Sequence, residues 1–389
     1  MPKNTFGQDL DFLNQHLETV VLRNKENAAV VVAPEYQGRT MISTNGGDQG
    51  SSYGFINYGA VESDVIDPKI NLYGGEDRLW VSPEGGQNSI FFEPGVEMNF
   101  ANWRTPAELD SEAFVVRTKT DNSVSMTKDA LFTNWRGTQF KVQIDRTVVL
   151  LDSATASEKL GADLSKVKLV AHESHNTLIN RGETAWEPET GLIGLWMICM
   201  SKPGAKATLF VPFSADSVET LTDADIVTAN YFGDLDETRL KVDRENKLVY
   251  FLGDGHLRSK LGLNFDRVTN MIGSWDEERQ VLSIVNFNLP EAAPANGYNN
   301  NLWEMQDEPY AGDVINCYND GVNESGSGMV EGGFFEMETI SPALALAPGE
   351  GYTHIQRTLR MEGDRAELSA VAKSLFGVGL DQIASQFVS

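Results

Sequence analysis

The stretch "GGFFEMETISPALALAPGEGYTHIQRTLRM" (332–361) decides how this chain folds. Apolar and acidic residues alternate in its first part, which predicts a β-strand because successive side chains point to opposite faces. The alternation places Glu336 and Glu338 on one face, about 6.6 Å apart along the strand. Two carboxylates that close raise each other's pKa, which is one route to a general acid or base. Two solvated glutamates on an edge strand are the alternative.

The strand pattern continues through most of the chain. Short runs rich in β-branched and aromatic residues, bounded by Gly, Asn, Asp and Pro, predict strands at 28–34, 112–120, 139–151, 191–200, 206–213, 247–253 and 280–289. Helical spacing is confined to the two ends, at 9–17 and 366–387. We therefore predict an all-β fold, a large antiparallel β-sandwich with short N- and C-terminal helices. Without repeats or low-complexity linkers, residues 1–389 are expected to form a single domain.

Composition argues against several partners. The net charge is −25, from 56 acidic and 31 basic residues, so neither nucleic acid nor an anionic membrane is an expected partner. The longest apolar run, "GLIGLWMICM" (191–200), is about half the length of a membrane-spanning helix and indicates a buried strand. The N-terminus lacks the apolar core of a secretory signal. A cytoplasmic location is expected, or a periplasmic or secreted one if an export signal has been trimmed away.

The segment "GGEDRLWVSPEGGQNSIFF" (74–92) is a candidate sugar site. Between two glycine pairs it holds Glu76, Asp77, Arg78, Trp80 and Glu84. An indole can stack on the C–H face of a sugar ring, while charged groups form paired hydrogen bonds with hydroxyls. A purely structural turn held by ion pairs is the alternative. Two long polar loops, 288–301 and 319–333, are either functional or plain surface excursions.

Metal sites are weakly indicated. "HESH" (172–175) is one residue short of the His-Glu-x-x-His zinc motif, and in a strand His172 and His175 would point to opposite faces. The stretch "GDVINCYNDG" (312–321) offers oxygen ligands that suit calcium, but its spacing fits no EF-hand loop. These ligands are Asp313, Asn316, Asn319 and Asp320. An ordinary hydrogen-bonded turn is the alternative, and otherwise no cofactor is expected.

The segment "METISPALALAPGEGYTHIQRTLRM" (337–361) resembles the C-terminal part of the galactose mutarotases, or aldose 1-epimerases. In that family a Glu-Thr pair carries the catalytic base, and a Pro-Gly-Glu turn and a His-containing strand follow. The resemblance implies that Glu338 is the base and that His354 lies at the position of the strand histidine. The family's acid is a histidine in an Asn-His-x-x-Phe-Asn segment. Aligning its final asparagine with Asn180 puts Asn176 in the acid's place, and an asparagine cannot donate a proton as an acid.

Over nearly its whole length the chain is similar to an uncharacterised bacterial family with the mutarotase-like fold. The marks are "YQGRTMIST" (36–44), "YGFIN" (53–57), "DGHLRSKLG" (254–262), "PYAGDVINCYNDG" (309–321) and "FFEMETISPAL" (334–344), together with segments 74–92 and 191–200. This resemblance implies a β-supersandwich with a concave sugar-binding cleft.

The function we predict is binding of a small sugar or oligosaccharide, with aldose 1-epimerase-like acid–base chemistry at a sugar carbon. Glu338 would be the base, and Glu336 would tune it or bind substrate. The acid is left open among Glu76, Glu84 and His354. The predicted substrate-binding residues are Arg39, Asn57, Glu76, Arg78, Trp80, Glu84, Asn176 and His354. The alternatives are a non-catalytic sugar-binding or sensor protein, and a glycoside hydrolase or polysaccharide lyase on the same scaffold.

Overall fold

Antiparallel strands make up most of the computed structural model, which describes residues 4–63, 65–322, 326 and 328–387. The strands are β1 Val20–Arg23, β2 Ala29–Ala33, β3 Arg39–Thr44, β4 Arg78–Ser82, β5 Val115–Lys119, β6 Ser123–Thr133, β7 Gln139–Leu151, β8 Lys168–Asn180, β9 Gly194–Ser201, β10 Ala207–Pro212, β11 Leu240–Asp243, β12 Leu248–Leu252, β13 Ser259–Leu263, β14 Met271–Asp276, β15 Val281–Phe287, β16 Ile315–Asn319, β17 Phe335–Ile340 and β18 Gly351–Glu362. The helices are α1 Phe6–His16, α2 Tyr58–Glu62, α3 Ser153–Leu160, α4 Asp223–Ile226, α5 Arg365–Phe376 and α6 Leu380–Ala384, with short 3-10 turns at Gly47–Gln49 and Ala107–Leu109.

Within the described residues these strands form three sheets. A ten-stranded sheet has the order β11-β12-β10-β14-β15-β18-β8-β7-β6-β5, a five-stranded sheet the order β13-β16-β17-β9-β4, and a small sheet the order β1-β2-β3. The largest buried apolar cluster takes side chains from all three sheets. That residues 1–389 form a single domain stays a prediction. The predicted all-β fold with short terminal helices is confirmed, and the run at 191–200 contains β9, in which every residue is buried.

The terminal helices differ in detail from the prediction. α1 starts three residues before the predicted 9–17, because Thr5 and Gln8 form a reciprocal capping box at its N-terminus. The predicted helix at 366–387 is split into α5 and α6, because Gly377 adopts a left-handed conformation with a φ of 79° and ends α5. Both helices pack on the ten-stranded sheet in a second apolar cluster. No helix among the described residues is long and apolar enough to span a bilayer.

The pairing of β17 determines what surrounds its two glutamates. β17 lies between β16 and β9, so Glu338 is opposite Ile198, and Ile198 is opposite Arg78 on β4. On the other side, Glu336 is opposite Tyr318, which in turn is opposite Lys260 on β13. Because directly opposite residues share a face of an antiparallel sheet, the register brings the two basic side chains to the face that carries both glutamates.

Candidate functional site

A cavity of about 350 Å³ lies against the face of the five-stranded sheet that carries Glu336 and Glu338. The opposite face is turned toward the ten-stranded sheet. A hydrogen bond of 2.8 Å between Oγ1 of Thr339 on β17 and Nε2 of His354 on β18 shows this orientation. The predicted alternation of β17 is thus the reason why the glutamates reach the cavity. Both predicted catalytic residues line it, together with three predicted substrate-binding residues, Arg78, Trp80 and Glu84.

Glu338 is held in place by two donors. The Nζ of Lys260 is 3.2 Å from Oε2 of Glu338, and the indole N–H of Trp196 donates to the same oxygen at 2.9 Å. The Lys260 ammonium in turn lies 4.9 Å from the ring centroid of Trp196 and 5.5 Å from that of Tyr231, distances at which cation–π attraction contributes. Charge-assisted bonds of this kind fix a carboxylate in position, as a general base requires.

Glu336 has a different environment. Burial raises its pKa to about 8; the Arg78 guanidinium, 3.1 Å from its Oε1, opposes this shift and the Glu338 carboxylate adds to it. The sequence predicts that mutual repulsion of the two glutamates raises their pKa, but for Glu336 the larger cause is loss of water. A carboxyl group that keeps its proton close to neutral pH can act as a general acid.

Glu84 lies at the cavity wall as well. Burial raises its pKa; the Lys260 ammonium opposes this and Glu338 adds to it. The backbone N–H of Glu84 donates to Oδ1 of Asn301 at 2.8 Å, so the end of loop 288–301 contacts this wall. Met329 from loop 319–333 also lines the cavity; residues 323–325 and 327 of that loop lie outside the described residues.

Aromatic rings make up much of the lining, but Trp80 does not serve as the predicted open stacking platform. The Arg78 guanidinium lies 4.4 Å from the centre of the Trp80 ring, and the Trp196 ring packs against Trp80 edge-on at 5.4 Å. The most exposed aromatic side chains of the described lining are Phe100, 53% exposed, and Phe232, 43% exposed. Cations also lie near these rings, with Lys69 Nζ 4.5 Å from the centroid of Phe100 and the Arg258 guanidinium 4.1 Å from that of Phe232. Both rings nevertheless remain far more exposed than Trp80, which is 5% exposed.

Three of the residues predicted to bind substrate do not line the cavity, and their side chains already form hydrogen bonds with other groups of the protein. Arg39 is fully buried and donates to the carbonyl of Gly74 at 2.9 Å. The side chain of Asn57 caps the N-terminus of α2. Glu76 accepts from Nε of Arg360 at 3.2 Å, between the sheets. A buried polar group needs a hydrogen-bond partner. These three side chains have such partners within the protein and do not face the cavity.

Asn176 and His354, the other two predicted ligands, face each other in the ten-stranded sheet and do not line the cavity. The Asn176 amide donates to Oγ of Ser174 at 3.0 Å and accepts from Arg146. Burial lowers the pKa of His354 to about 4, so its imidazole is neutral at physiological pH. Because Thr339 donates its hydroxyl proton to Gln356, it accepts from His354, whose proton therefore sits on Nε2.

The positions of these side chains reduce the number of candidates for the predicted general acid. Of the three predicted candidates, Glu76 and His354 lie outside the cavity, and Glu84 lines it. Glu336 is a second candidate for the acid beside Glu84, because burial raises the pKa of both residues. No histidine is found among the described residues that line the cavity.

The sequence interpretation missed two basic residues, Arg258 and Lys260, and most of the aromatic walls. Arg258 and Lys260 are two positions apart in "DGHLRSKLG" (254–262), Arg258 directly before β13 and Lys260 within it, and both line the cavity. Their spacing is the period-two signal that was used for Glu336 and Glu338, so it could have identified them. Trp103, Trp303 and others come from loops, for which the sequence pattern carries no comparable signal.

The stretch proposed for calcium is occupied by protein donors. Asp313 accepts from the hydroxyl of Tyr231 at 2.5 Å, and Asp320 accepts from the hydroxyl of Tyr318 at 3.1 Å. In the part of the chain that the structure describes, no group of three or more His, Cys, Asp or Glu side chains is arranged to hold a metal. On β8, His172 is buried and the side chain of His175 is 39% exposed.

Comparison with known proteins places this chain in a family. The model of a family described as "Family of unknown function (DUF6786)" matches residues 4–387. None of the curated proteins matches the chain.

Solved structures show a related fold. A candidate aldose 1-epimerase from Escherichia coli K12 is 11% identical, with 89% of this chain and 99% of that chain covered and a TM-score of 0.50. A protein from Synechocystis sp. PCC 6803 is 11% identical, with 90% and 96% covered and a TM-score of 0.50. A galactose mutarotase-like protein from Lactobacillus casei ATCC 334 is 12% identical, with 89% and 99% covered and a TM-score of 0.48. Identities this low concern the fold alone. The chain therefore belongs to the family of unknown function DUF6786 and has the galactose mutarotase-like, or aldose 1-epimerase-like, β-supersandwich fold.

Proposed function

We propose that the cavity beside β17 binds a carbohydrate and that Glu338 and Glu336 act on it as base and acid in aldose 1-epimerase-like chemistry. One observation carries the proposal. Two glutamates on the same face of one strand share the cavity, yet Glu338 is ion-paired with Lys260 while burial raises the pKa of Glu336. When two neighbouring carboxyl groups lie in such different environments, one is suited to accept a proton and the other to give one.

The aromatic and polar groups of the cavity support the choice of a sugar. Phe100 and Phe232 are accessible at the wall, and such rings contact the C–H face of a pyranose. Arg78, Glu84 and Lys260 provide charged donors and acceptors for hydroxyl groups. Pockets that combine mostly apolar walls with a few polar groups are typical of small-molecule sites.

The proposed reaction needs only these two carboxyl groups. Glu338 takes the proton of the hydroxyl group at the anomeric carbon while Glu336 gives a proton to the ring oxygen. The bond between the anomeric carbon and the ring oxygen breaks, leaving an open-chain aldehyde. Rotation of the aldehyde and reversal of both proton transfers close the ring as the other anomer, and each glutamate regains its starting state.

A non-catalytic sugar-binding protein is the second candidate. It is favoured by the absence of a histidine among the described cavity-lining residues, since a histidine is the acid that the mutarotase resemblance leads one to expect. Tight pairing of Glu338 with Lys260 and Trp196 is also compatible with a purely structural carboxylate.

Product analysis by proton NMR separates the proposed reactions. Single-anomer sugars and short oligosaccharides are incubated with the protein, and the anomeric signals are followed over time. Accelerated equilibration of anomers supports the epimerase. New reducing ends would indicate a hydrolase, and an unsaturated product that absorbs in the ultraviolet would indicate a lyase. Saturation transfer to a sugar without any chemical change would support the binding protein and overturn the proposed reaction.

A further inference from the structure

Arg258 differs from the other two basic residues that line the cavity, because it has no acidic partner among the residues that the structure describes. Lys260 is paired with Glu338 and Arg78 with Glu336. Arg258 forms no ion pair or side-chain hydrogen bond with residues 4–63, 65–322, 326 or 328–387. Its guanidinium lies 4.1 Å from the ring centroid of Phe232, at the cavity wall.

Arg258 is distinguished by its place, a cavity lining in which the other described basic residues have a carboxyl group within ion-pair distance. With 56 acidic and 31 basic residues, the surface offers many carboxylates that could neutralise an arginine. Arg258 is half-buried and its Nε is a buried donor without a partner, which carries a cost in free energy. Stacking on Phe232 offsets part of this cost and fixes the guanidinium beside the cavity. A ligand that brings a negative charge would offset the rest.

The other unsatisfied polar atoms of the lining point to the same chemistry. Buried side-chain atoms without a hydrogen-bond partner occur on four described residues of the lining, and all of these atoms are donors: Nε and Nη1 of Arg78, Nε1 of Trp80, Nε1 of Trp103 and Nε of Arg258. Each of these atoms is itself closed to solvent, so the pattern shows that the described lining lacks acceptors for its own donors, not that all these donors face a ligand. Burial also raises the pKa of Glu84 and of Glu336, which reduces the negative charge that an anionic ligand would meet.

We propose that the ligand of this cavity is a sugar acid whose carboxylate binds Arg258. The inference rests on the proposed carbohydrate site and names its substrate class. A carboxylate accepts two parallel N–H bonds from a guanidinium, with matching planar geometry. Lys260 is neutralised by Glu338, and Arg258 is the basic residue of the described lining with no carboxyl group within ion-pair distance. A phosphate ester, which carries close to two charges at neutral pH, is the competing ligand that the experiment below includes. The sugar ring would then lie between Arg258 and the glutamates of β17.

Isothermal titration calorimetry tests the assignment. The probes are D-glucuronate and D-galacturonate, the matched neutral sugars D-glucose and D-galactose, and D-glucose 6-phosphate. The proteins are wild type, Arg258→Gln, Arg258→Lys and, as a control, Arg117→Gln, since Arg117 is exposed on β5 at the far edge of the ten-stranded sheet.

The wild type is expected to bind a uronate at least about 10-fold more tightly than the matched neutral sugar. A hydrogen-bonded charge pair of this kind is worth roughly 10- to 100-fold in affinity, so Arg258→Gln should weaken uronate binding by that factor. It should weaken neutral-sugar binding by a clearly smaller factor, because a neutral sugar loses the support of Arg258 for the Phe232 ring but no charge pair. Arg258→Lys should lie between wild type and Arg258→Gln, since it keeps the charge but not the paired geometry. Arg117→Gln should match wild type.

The outcomes distinguish this inference from the proposal on which it rests. Neutral sugars that bind as tightly as uronates would overturn the sugar-acid assignment and leave the carbohydrate site intact. Tighter binding of the sugar phosphate than of both uronates would overturn the choice of a carboxylate. Failure of every sugar to bind a wild-type protein that melts cooperatively would overturn the carbohydrate site itself. Thermal melts of both Arg258 variants check that a loss of binding is not a loss of fold.

Discussion

The Nζ of Lys260 lies 3.2 Å from Oε2 of Glu338, and their side chains are only 8% and 1% exposed. A pair of this kind loses most of its hydration, and in return each charge is neutralised by its neighbour. The pair joins β13 to β17 across β16 and fixes the carboxylate that we propose as the base. Its geometry therefore links the stability of the sheet to the chemistry of the cavity.

Breaking this pair from the lysine side should destabilise the protein strongly. Lys260→Met leaves a buried carboxylate without its counter-ion, and we expect the free energy of unfolding to fall by about 3–5 kcal/mol at pH 7. Urea denaturation measures the change. The double variant Lys260→Met/Glu338→Gln should recover part of the loss, because the unpaired charge is removed as well.

The matched control for Lys260 is Lys166→Met. Lys166 pairs with Glu367 at 3.3 Å on the surface, where the side chains are 66% and 37% exposed. Such a pair contributes about 0–1 kcal/mol. If Lys260→Met were as mild as Lys166→Met, the Glu338 carboxylate could not be buried as described.

The proton of Glu336 should make wild-type stability depend on pH. Its pKa is raised from an ordinary 4.5 to about 8, with burial as the main cause, so between these values the folded protein holds a proton that the unfolded chain releases. The free energy of unfolding of wild type should therefore fall, relative to Glu336→Gln, as pH rises through this window. The slope is at most about 1.4 kcal/mol per pH unit. Urea titrations at several pH values measure it, and a difference that stays constant from pH 5 to pH 8 would contradict the buried, protonated state.

His354 should matter for acid stability and not for sugar binding. Burial lowers its pKa from 6.5 to about 4, so the unfolded chain takes up a proton first as pH falls. Wild type should lose stability between those two values, and His354→Gln should lose less over the same range. Because His354 is outside the cavity lining, sugar affinity measured by calorimetry should change less than about twofold. A tenfold loss of affinity without loss of fold would return His354 to the binding site.

Much of the fold could be predicted from local pattern. The run 139–151 has the same bounds as β7, because its alternation matches a strand with one face on the core. The split between α5 and α6 could not be predicted from apolar spacing, which continues past Gly377 although the backbone turns there. The order of strands in the sheets depends on pairings between distant segments, such as β17 with β9, and a single sequence carries little information about them.

Some of the predicted site residues line the cavity and others do not. Glu336, Glu338 and Arg78 lie on the cavity face of their strands, where a polar residue in a buried strand usually signals function. Asn176 and Glu76 are polar residues in similarly buried positions, yet they take part in hydrogen bonds inside the protein. Both faces of the five-stranded sheet carry buried side chains, so the sequence alone does not tell an inward polar residue from one in the cavity.

The exchange rate between sugar anomers in Glu338→Gln tests the central claim most directly. Glutamine keeps an oxygen that can accept from Trp196 and Lys260 but cannot take a proton. Because it also leaves the buried Lys260 charge without its counter-ion, a cooperative urea melt checks that the variant is folded under the assay conditions. One-dimensional proton NMR follows freshly dissolved single-anomer uronates and neutral sugars with wild type, with Glu338→Gln and with the control Glu158→Gln, an exposed position on α3. We predict that wild type and the control accelerate exchange of at least one sugar, and that Glu338→Gln lowers the rate by about 100-fold or more while still binding it. Exchange that is unchanged in Glu338→Gln, or no acceleration of any sugar that the wild type binds, would contradict the account.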